Sequence, residues 1–281
     1  MPLARLAALA LLTLAAGCAT PPSPTERART ADTLAAAHGW QAHDLDTGRF
    51  QLRAYLPAVS TSDQLVVYLE GDGLAWLTPT RPSGDPTPIQ PLALQLALAQ
   101  PGGTAAYLAR PCQYLATQRN CAQRYWTDAR FAAEVVDSLD QAIEQLKTRY
   151  AARDLVLVGY SGGGTLALLL AARRTDVERI ITVAGNLDPA AWVDFHHLRP
   201  LRQSLNPVQQ RAALARIPQQ HLSGERDQVV PTALTLRFDE AYPAGTASSV
   251  LRFADYDHQC CWARDWPQIW RMLQDTTPEG R

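Results

Sequence analysis

The chain lacks any excess of charge. It carries 26 lysines and arginines against 27 aspartates and glutamates, a formal net charge of −1, and no long run of either sign. A nucleic-acid binder needs a basic patch or stripe, so nucleic acid is not an expected partner. No segment beyond residue 16 is apolar for long enough to form a transmembrane helix. Internal repeats and low-complexity blocks are missing too, which excludes solenoids and arrays. Histidine is scarce, with six in 281 residues, and no Cys or His pair stands at a convincing zinc spacing. No metal and no cofactor is therefore expected.

What is present starts at the N-terminus. Arg5 precedes an apolar run from Leu6 to Ala16, which closes in Leu14-Ala15-Ala16-Gly17-Cys18. The run has signal-peptide length and is too short to cross a bilayer. Its end resembles a bacterial lipobox. That resemblance implies a signal peptide over 1–17, cleavage before Cys18, and lipidation of that residue. Ala19 follows where an aspartate would retain a lipoprotein in the inner membrane. By the same analogy the destination is the outer membrane, facing the periplasm, with the lipid as the only anchor.

Residues 18–35, with Pro21, Pro22 and Pro24, read as a lipidated flexible tether. Residues 36–281 then suit one large α/β domain with a sizeable core. Five cysteines fit an exported protein. With Cys18 lipidated, Cys112, Cys121, Cys260 and Cys261 remain as disulfide candidates, and three pairings stay open.

The strongest chemical signal is Asp154-Leu-Val-Leu-Val-Gly-Tyr-Ser-Gly-Gly-Gly164. Leu155 to Val158 is an apolar run rich in strand formers. Thr165 to Arg174 is rich in helix formers. Between them Gly159-Tyr160-Ser161-Gly162-Gly163 fits G-x-S-x-G in the strand–turn–helix context of a nucleophile elbow. Gly159 and Gly163 spare the turn two side chains where strand and helix nearly touch. Gly162 offers its amide at a helix N-terminus, where positive partial charge collects.

Elsewhere, strands are expected at 65–69, 104–109, 179–184, 219–223 and 249–253. Helices are expected at 91–100, 128–150 and 266–273, and edge strands within 45–56. This alternation predicts a mainly parallel central sheet covered by helices on both faces. Residues 187–217 are too long for a plain connection and read as a small helical insertion before the strand at 219–223. With the long loop at 74–90, it is placed to shape a pocket over the carboxyl ends of the strands.

The elbow and the strand order resemble the α/β-hydrolase superfamily over roughly residues 45–275. That family runs its catalytic residues in the order Ser, Asp or Glu, His. His258 is the last histidine in the chain and follows the final strand. Asp227 lies in Ser223-Gly-Glu-Arg-Asp-Gln-Val-Val-Pro231, which matches the family pattern G-x-x-D-x-x-V-P. The resemblance therefore implies a triad of Ser161, Asp227 and His258. It places the oxyanion hole at the amide of Gly162 and, in Glu70-Gly-Asp-Gly73, at that of Asp72, with Gly71 and Gly73 as alternatives. Glu70 stands where relatives carry histidine. Asp72 must turn its carboxylate away from the oxyanion, into its own loop or toward an arginine such as Arg110.

Tyr68-Leu-Glu-Gly-Asp-Gly-Leu-Ala-Trp76 and Leu108-Ala-Arg-Pro-Cys-Gln-Tyr114 further resemble a bacterial hydrolase group, which gives no substrate. The expected activity is hydrolysis of a small acyl substrate, an ester or thioester, through an acyl-enzyme on Ser161. A peptidase acting on short peptides and an inert binding lipoprotein with the same fold remain as alternatives.

Overall fold

The computed structural model describes residues 20–59, 61–115 and 119–275. Its frame is an eight-stranded sheet. The strands are β1 (Gln41–Asp46), β2 (Gln51–Leu56), β3 (Gln64–Leu69), β6 (Thr104–Leu108), β7 (Asp154–Tyr160), β8 (Val177–Val183), β9 (Gln219–Gly224) and β10 (Ser248–Phe253). A short hairpin, β4 (Trp76–Thr78) with β5 (Arg81–Pro82), stands apart inside the 74–90 loop. The order across the sheet is β1-β2-β6-β3-β7-β8-β9-β10. Only β2 runs against its neighbours, and every pairing from β6 to β10 is parallel.

The central strands read as unbroken apolar runs because both faces are covered. On β3, Leu65, Val67 and Leu69 enter one core while Val66 and Tyr68 enter the other. On β7 the same split sends Leu155 and Leu157 one way and Val156 and Val158 the other. The first face is closed by α3 (Ala133–Tyr150) and α4 (Gly162–Ala171), joined by Phe238 of α7 (Thr232–Glu240). The second is closed by α1 (Pro24–Ala37), α2 (Leu92–Ala99) and α8 (Trp262–Asp275). Between β8 and β9 lie α5 (Pro189–Phe195), a single 3₁₀ turn and α6 (Arg211–Leu214), the expected helical insertion. The fold is that of an α/β hydrolase.

One expectation is corrected. The tether drawn over 18–35 does not survive its described part, because residues 24–37 form α1. Ser23 caps this helix in a reciprocal box with Glu26, and Pro24 occupies the first turn, where a missing N–H costs nothing. Pro24, read as a tether residue, thus starts a helix. Ala31 and Ala35 are buried against the second core, Arg27 reaches the main-chain oxygen of Thr87, and Asp32 accepts from Tyr55 at 2.8 Å and Arg53 at 3.1 Å. Cys18 and the 1–17 segment lie outside the described residues. We expect Ser23→Ala to lower stability by about 1 kcal/mol, read as a shifted urea midpoint. The same change in a free tether would leave the midpoint where it was.

Two smaller differences have local causes. The helix expected from residue 128 starts at Ala133, since Asp128 to Ala132 turn to bring Arg130 inward. Helix α7 buries only Thr235 and Phe238, so its sequence has no clear apolar period. Two disulfides are formed, Cys112–Cys121 and Cys260–Cys261, which selects one of the three open pairings.

Candidate active site

Strand β7 delivers Ser161 to the carboxyl edge of the sheet, where the chain reverses into α4. Ser161 sits at φ 52°, ψ −122°, backbone that a side chain rarely adopts. Three main-chain hydrogen bonds hold it there. Its N–H donates to Val183 O at 3.0 Å, and its carbonyl accepts from Gly164 at 3.0 Å and Asn186 at 2.9 Å. Two glycines make the turn possible. A Cβ on Gly163 would stand 2.3 Å from Leu69 O, and one on Gly159 would stand 2.3 Å from Gly163 O.

His258 follows β10 and Asp227 follows β9. His258 Nε2 lies 3.0 Å from Ser161 Oγ, and His258 Nδ1 lies 2.8 Å from Asp227 Oδ2. The carboxylate is fully buried as a side chain. Its other oxygen accepts from Val229 and Val230 N–H, both at 2.8 Å. Asp227 is thereby fixed with one oxygen free for the imidazole. Asp257 fixes the histidine turn by accepting from Gln259 N–H at 2.8 Å and Cys260 N–H at 2.7 Å. The other acids of the region are occupied elsewhere. Asp188 caps α5, Glu225 pairs with Arg252, and Asp255 pairs with Arg226.

The loop after β3 closes the site from the other side. Asp72 turns its carboxylate onto two buried guanidiniums. Arg110 Nη1 pairs with one oxygen and Arg130 Nη1 with the other. Arg110 also donates to Arg130 O at 2.5 Å, tying the three residues together. Burial pushes the Asp72 carboxyl up, but Arg130 and Arg110 outweigh it and hold the group below its ordinary value. Of the candidate oxyanion amides, that of Gly71 is committed to Glu70 Oε1 at 2.9 Å. The N–H groups of Gly162 and Asp72 have no acceptor among the described residues.

Sequence reasoning named Arg110 as a partner for Asp72 but missed Arg130, which arrives from 58 positions away with no local motif to mark it. It also treated Glu70 only as a replaced histidine. Glu70 is buried beneath the pocket, and its second oxygen accepts from Tyr107 OH at 3.1 Å. Burial pushes its carboxyl up to about 7, against the Gly71 and Tyr107 hydrogen bonds that favour the charged form. In the unfolded chain it ionises near its ordinary value, so between about pH 4.5 and 7 the folded state holds the extra proton. The stability this contributes is complete below the unfolded value and is lost as pH rises through 7. We expect Glu70→Gln to remove a loss on the order of 1–3 kcal/mol between pH 5 and pH 8, measured as urea midpoints at the two pH values.

Above Ser161 opens a cavity of about 370 Å³, bounded by Trp76, Ile89, Trp192 and Val229 with Glu70 and Arg130 at its polar side. Its size and mixed lining suit a small organic ligand.

The model of the dienelactone hydrolase family matches residues 108–263, more than half of the 281-residue chain. The chain belongs to the dienelactone hydrolase family. No curated protein matches it in sequence. Solved structures similar to this dienelactone hydrolase family member share its fold at low identity. Est1E from Butyrivibrio proteoclasticus is 13% identical with a TM-score of 0.57, covering 83% of this chain and 98% of its own. The esterase Pf2001 from Pyrococcus furiosus is 11% identical with a TM-score of 0.56, at 84% and 88% coverage. XC6422 from Xanthomonas campestris, described as an α/β serine hydrolase without a lid, is 17% identical with a TM-score of 0.54, at 86% and 97% coverage. The protein is thus a hydrolase of the α/β superfamily.

Proposed function

We propose that this dienelactone hydrolase family member cleaves carboxylic esters, with thioesters as the next class, through an acyl-enzyme on Ser161. The observation that carries the reading is the unbroken chain from Ser161 Oγ through His258 to Asp227, at 3.0 and 2.8 Å. His258 Nε2 takes the hydroxyl proton as Ser161 Oγ bonds to the acyl carbon. Asp227 holds the proton on Nδ1 and balances the imidazolium. The carbonyl electrons move onto oxygen, which the amides of Gly162 and Asp72 receive. Collapse expels the alcohol with the proton from Nε2. Water then repeats the sequence on the acyl-enzyme and releases the acid. The esterase names of the structural neighbours support this class, and one of them, Est1E, has been solved with ferulic acid bound.

A fluorophosphonate probe tests the reading. The folded protein should gain one adduct by intact mass, located at Ser161 by peptide mapping. A folded sample that gains none would overturn the nucleophile.

The same proposal places the mature chain on the outer membrane, facing the periplasm, through lipid on Cys18. Radiolabelled palmitate should enter the protein in cells and fail to enter a Cys18→Ala variant.

A further inference from the structure

The rim of the cavity and the start of the described chain share one end of the molecule. Strand β1 runs parallel to β6 and the strands beyond it, so it begins at the amino edge of the sheet. The helix that precedes it, α1, therefore descends from the carboxyl edge, and Pro24 lies at the same end as Ser161. The contacts agree. Arg27, in the first turn of α1, reaches the main chain of Asp85 and Thr87, and the next residues of that loop, Pro88 and Ile89, line the cavity. Only five residues separate Cys18 from Pro24, a reach of at most about 20 Å even when extended.

The surface at this end is apolar beyond what the fold needs. Seven large hydrophobic side chains are exposed among the described residues. Six of them, Trp76, Leu77, Ile89, Phe195, Leu198 and Val229, stand in the segments around the mouth. Trp192 Nε1 at 2.6 Å and His196 Nε2 at 2.9 Å both meet Val229 O, which ties the helix carrying Phe195 to the Val229 segment. The seventh, Val59, lies between β2 and β3 at the opposite edge. Exposed Arg81, Arg199 and Arg202 stand among the six and make no ion pair with the described residues. Segments 74–90 and 189–206 hold one exposed carboxylate, Asp194. Beside Val229 and His258, exposed Glu225 and Asp255 are paired with Arg252 and Arg226, and exposed Asp257 accepts from Gln259 and Cys260 N–H.

We infer that the mouth of the cavity docks on the surface of a phospholipid bilayer containing anionic lipid, and that the enzyme takes acyl substrates from that bilayer. The inference rests on the proposed hydrolase and its Cys18 anchor. A short anchored segment delivers this face to the membrane. The apolar side chains enter the acyl boundary while the arginines meet the headgroups. A lipid-borne ester then reaches Ser161 without crossing water.

The test uses the full lipidated chain in phosphatidylcholine–phosphatidylglycerol vesicles with brominated acyl chains, which quench indoles on contact. Emission should fall on vesicle binding, and Trp76→Phe should remove most of that fall. The paired variant Phe195→Asp, Leu198→Asp leaves the cavity lining intact. It should turn over a water-soluble short-chain ester as the wild type does, and a bilayer-held long-chain ester about tenfold more slowly. Quenching that Trp76→Phe does not reduce, or equal turnover of the long-chain ester, would overturn the docking. So would a wild-type dimer in detergent that the paired variant converts to monomer, since a second copy would then own this face. Fluorophosphonate labelling of Ser161 that persists in any of these outcomes leaves the hydrolase reading standing. Loss of labelling with quenching retained would separate the two in the other direction.

Discussion

Replacing Ser161 with alanine should lower kcat for an acyl ester by roughly 10⁴–10⁶-fold while KM changes little. In the proposed mechanism the Ser161 oxygen is the atom that bonds to the acyl carbon, so nothing else in the site replaces it. In that mechanism the residual rate comes from the amides of Gly162 and Asp72 and from binding in the cavity. Stability should move by less than about 1 kcal/mol. Alanine has the same Cβ at φ 52°, so the strain of the turn is unchanged, and among the described residues the hydroxyl's only side-chain hydrogen bond is to His258. Steady-state kinetics and a urea titration on the same preparation separate the two effects. A variant that kept a tenth of the wild-type rate would place the chemistry elsewhere.

The second large effect is on stability. Asp72→Asn should destabilise the protein by about 3–5 kcal/mol, the cost of breaking a buried ion network at one partner. Arg110 and Arg130 are 4% and 5% exposed, and each meets its own oxygen of Asp72. Asparagine keeps the shape, removes the charge and turns an amide N–H₂ toward a guanidinium, donor against donor. The acidic limb gives a second check. The Asp72 pKa is lowered in the fold, so its contribution is complete above the ordinary carboxylate value and fades as pH falls through the depressed one. The stabilities of wild type and variant should therefore converge below about pH 4. Coinciding urea curves at neutral pH would show that the two arginines are neutralised by other means.

Much of this arrangement is legible in the sequence because its signals are local. Gly159 to Gly163 is a contiguous motif flanked by a strand and a helix. Asp227 and His258 each follow a recognisable apolar run. Such runs translate into strands when both faces are buried, as on β3 and β7. The unread parts depend on distant partners. Arg130 matters because Asp72, far along the chain, turns toward it. The elevated Glu70 carboxyl depends on a burial that composition does not reveal. Helix α1 was hidden by its own cap, since Ser-Pro-Thr-Glu before small residues resembles a linker until Ala31 and Ala35 are seen against a core. Helix α7 buries only Thr235 and Phe238, too few to leave a period.

Helix α1 also sets how short the protein can be made. It shields Tyr55 and the neighbouring aromatic face of the second core. Its Arg27 grips the segment that leads to Ile89 at the cavity wall. A chain cut at residue 36 would uncover that greasy strip and free the wall at once. It would leave solution as an aggregate rather than persist as a smaller hydrolase.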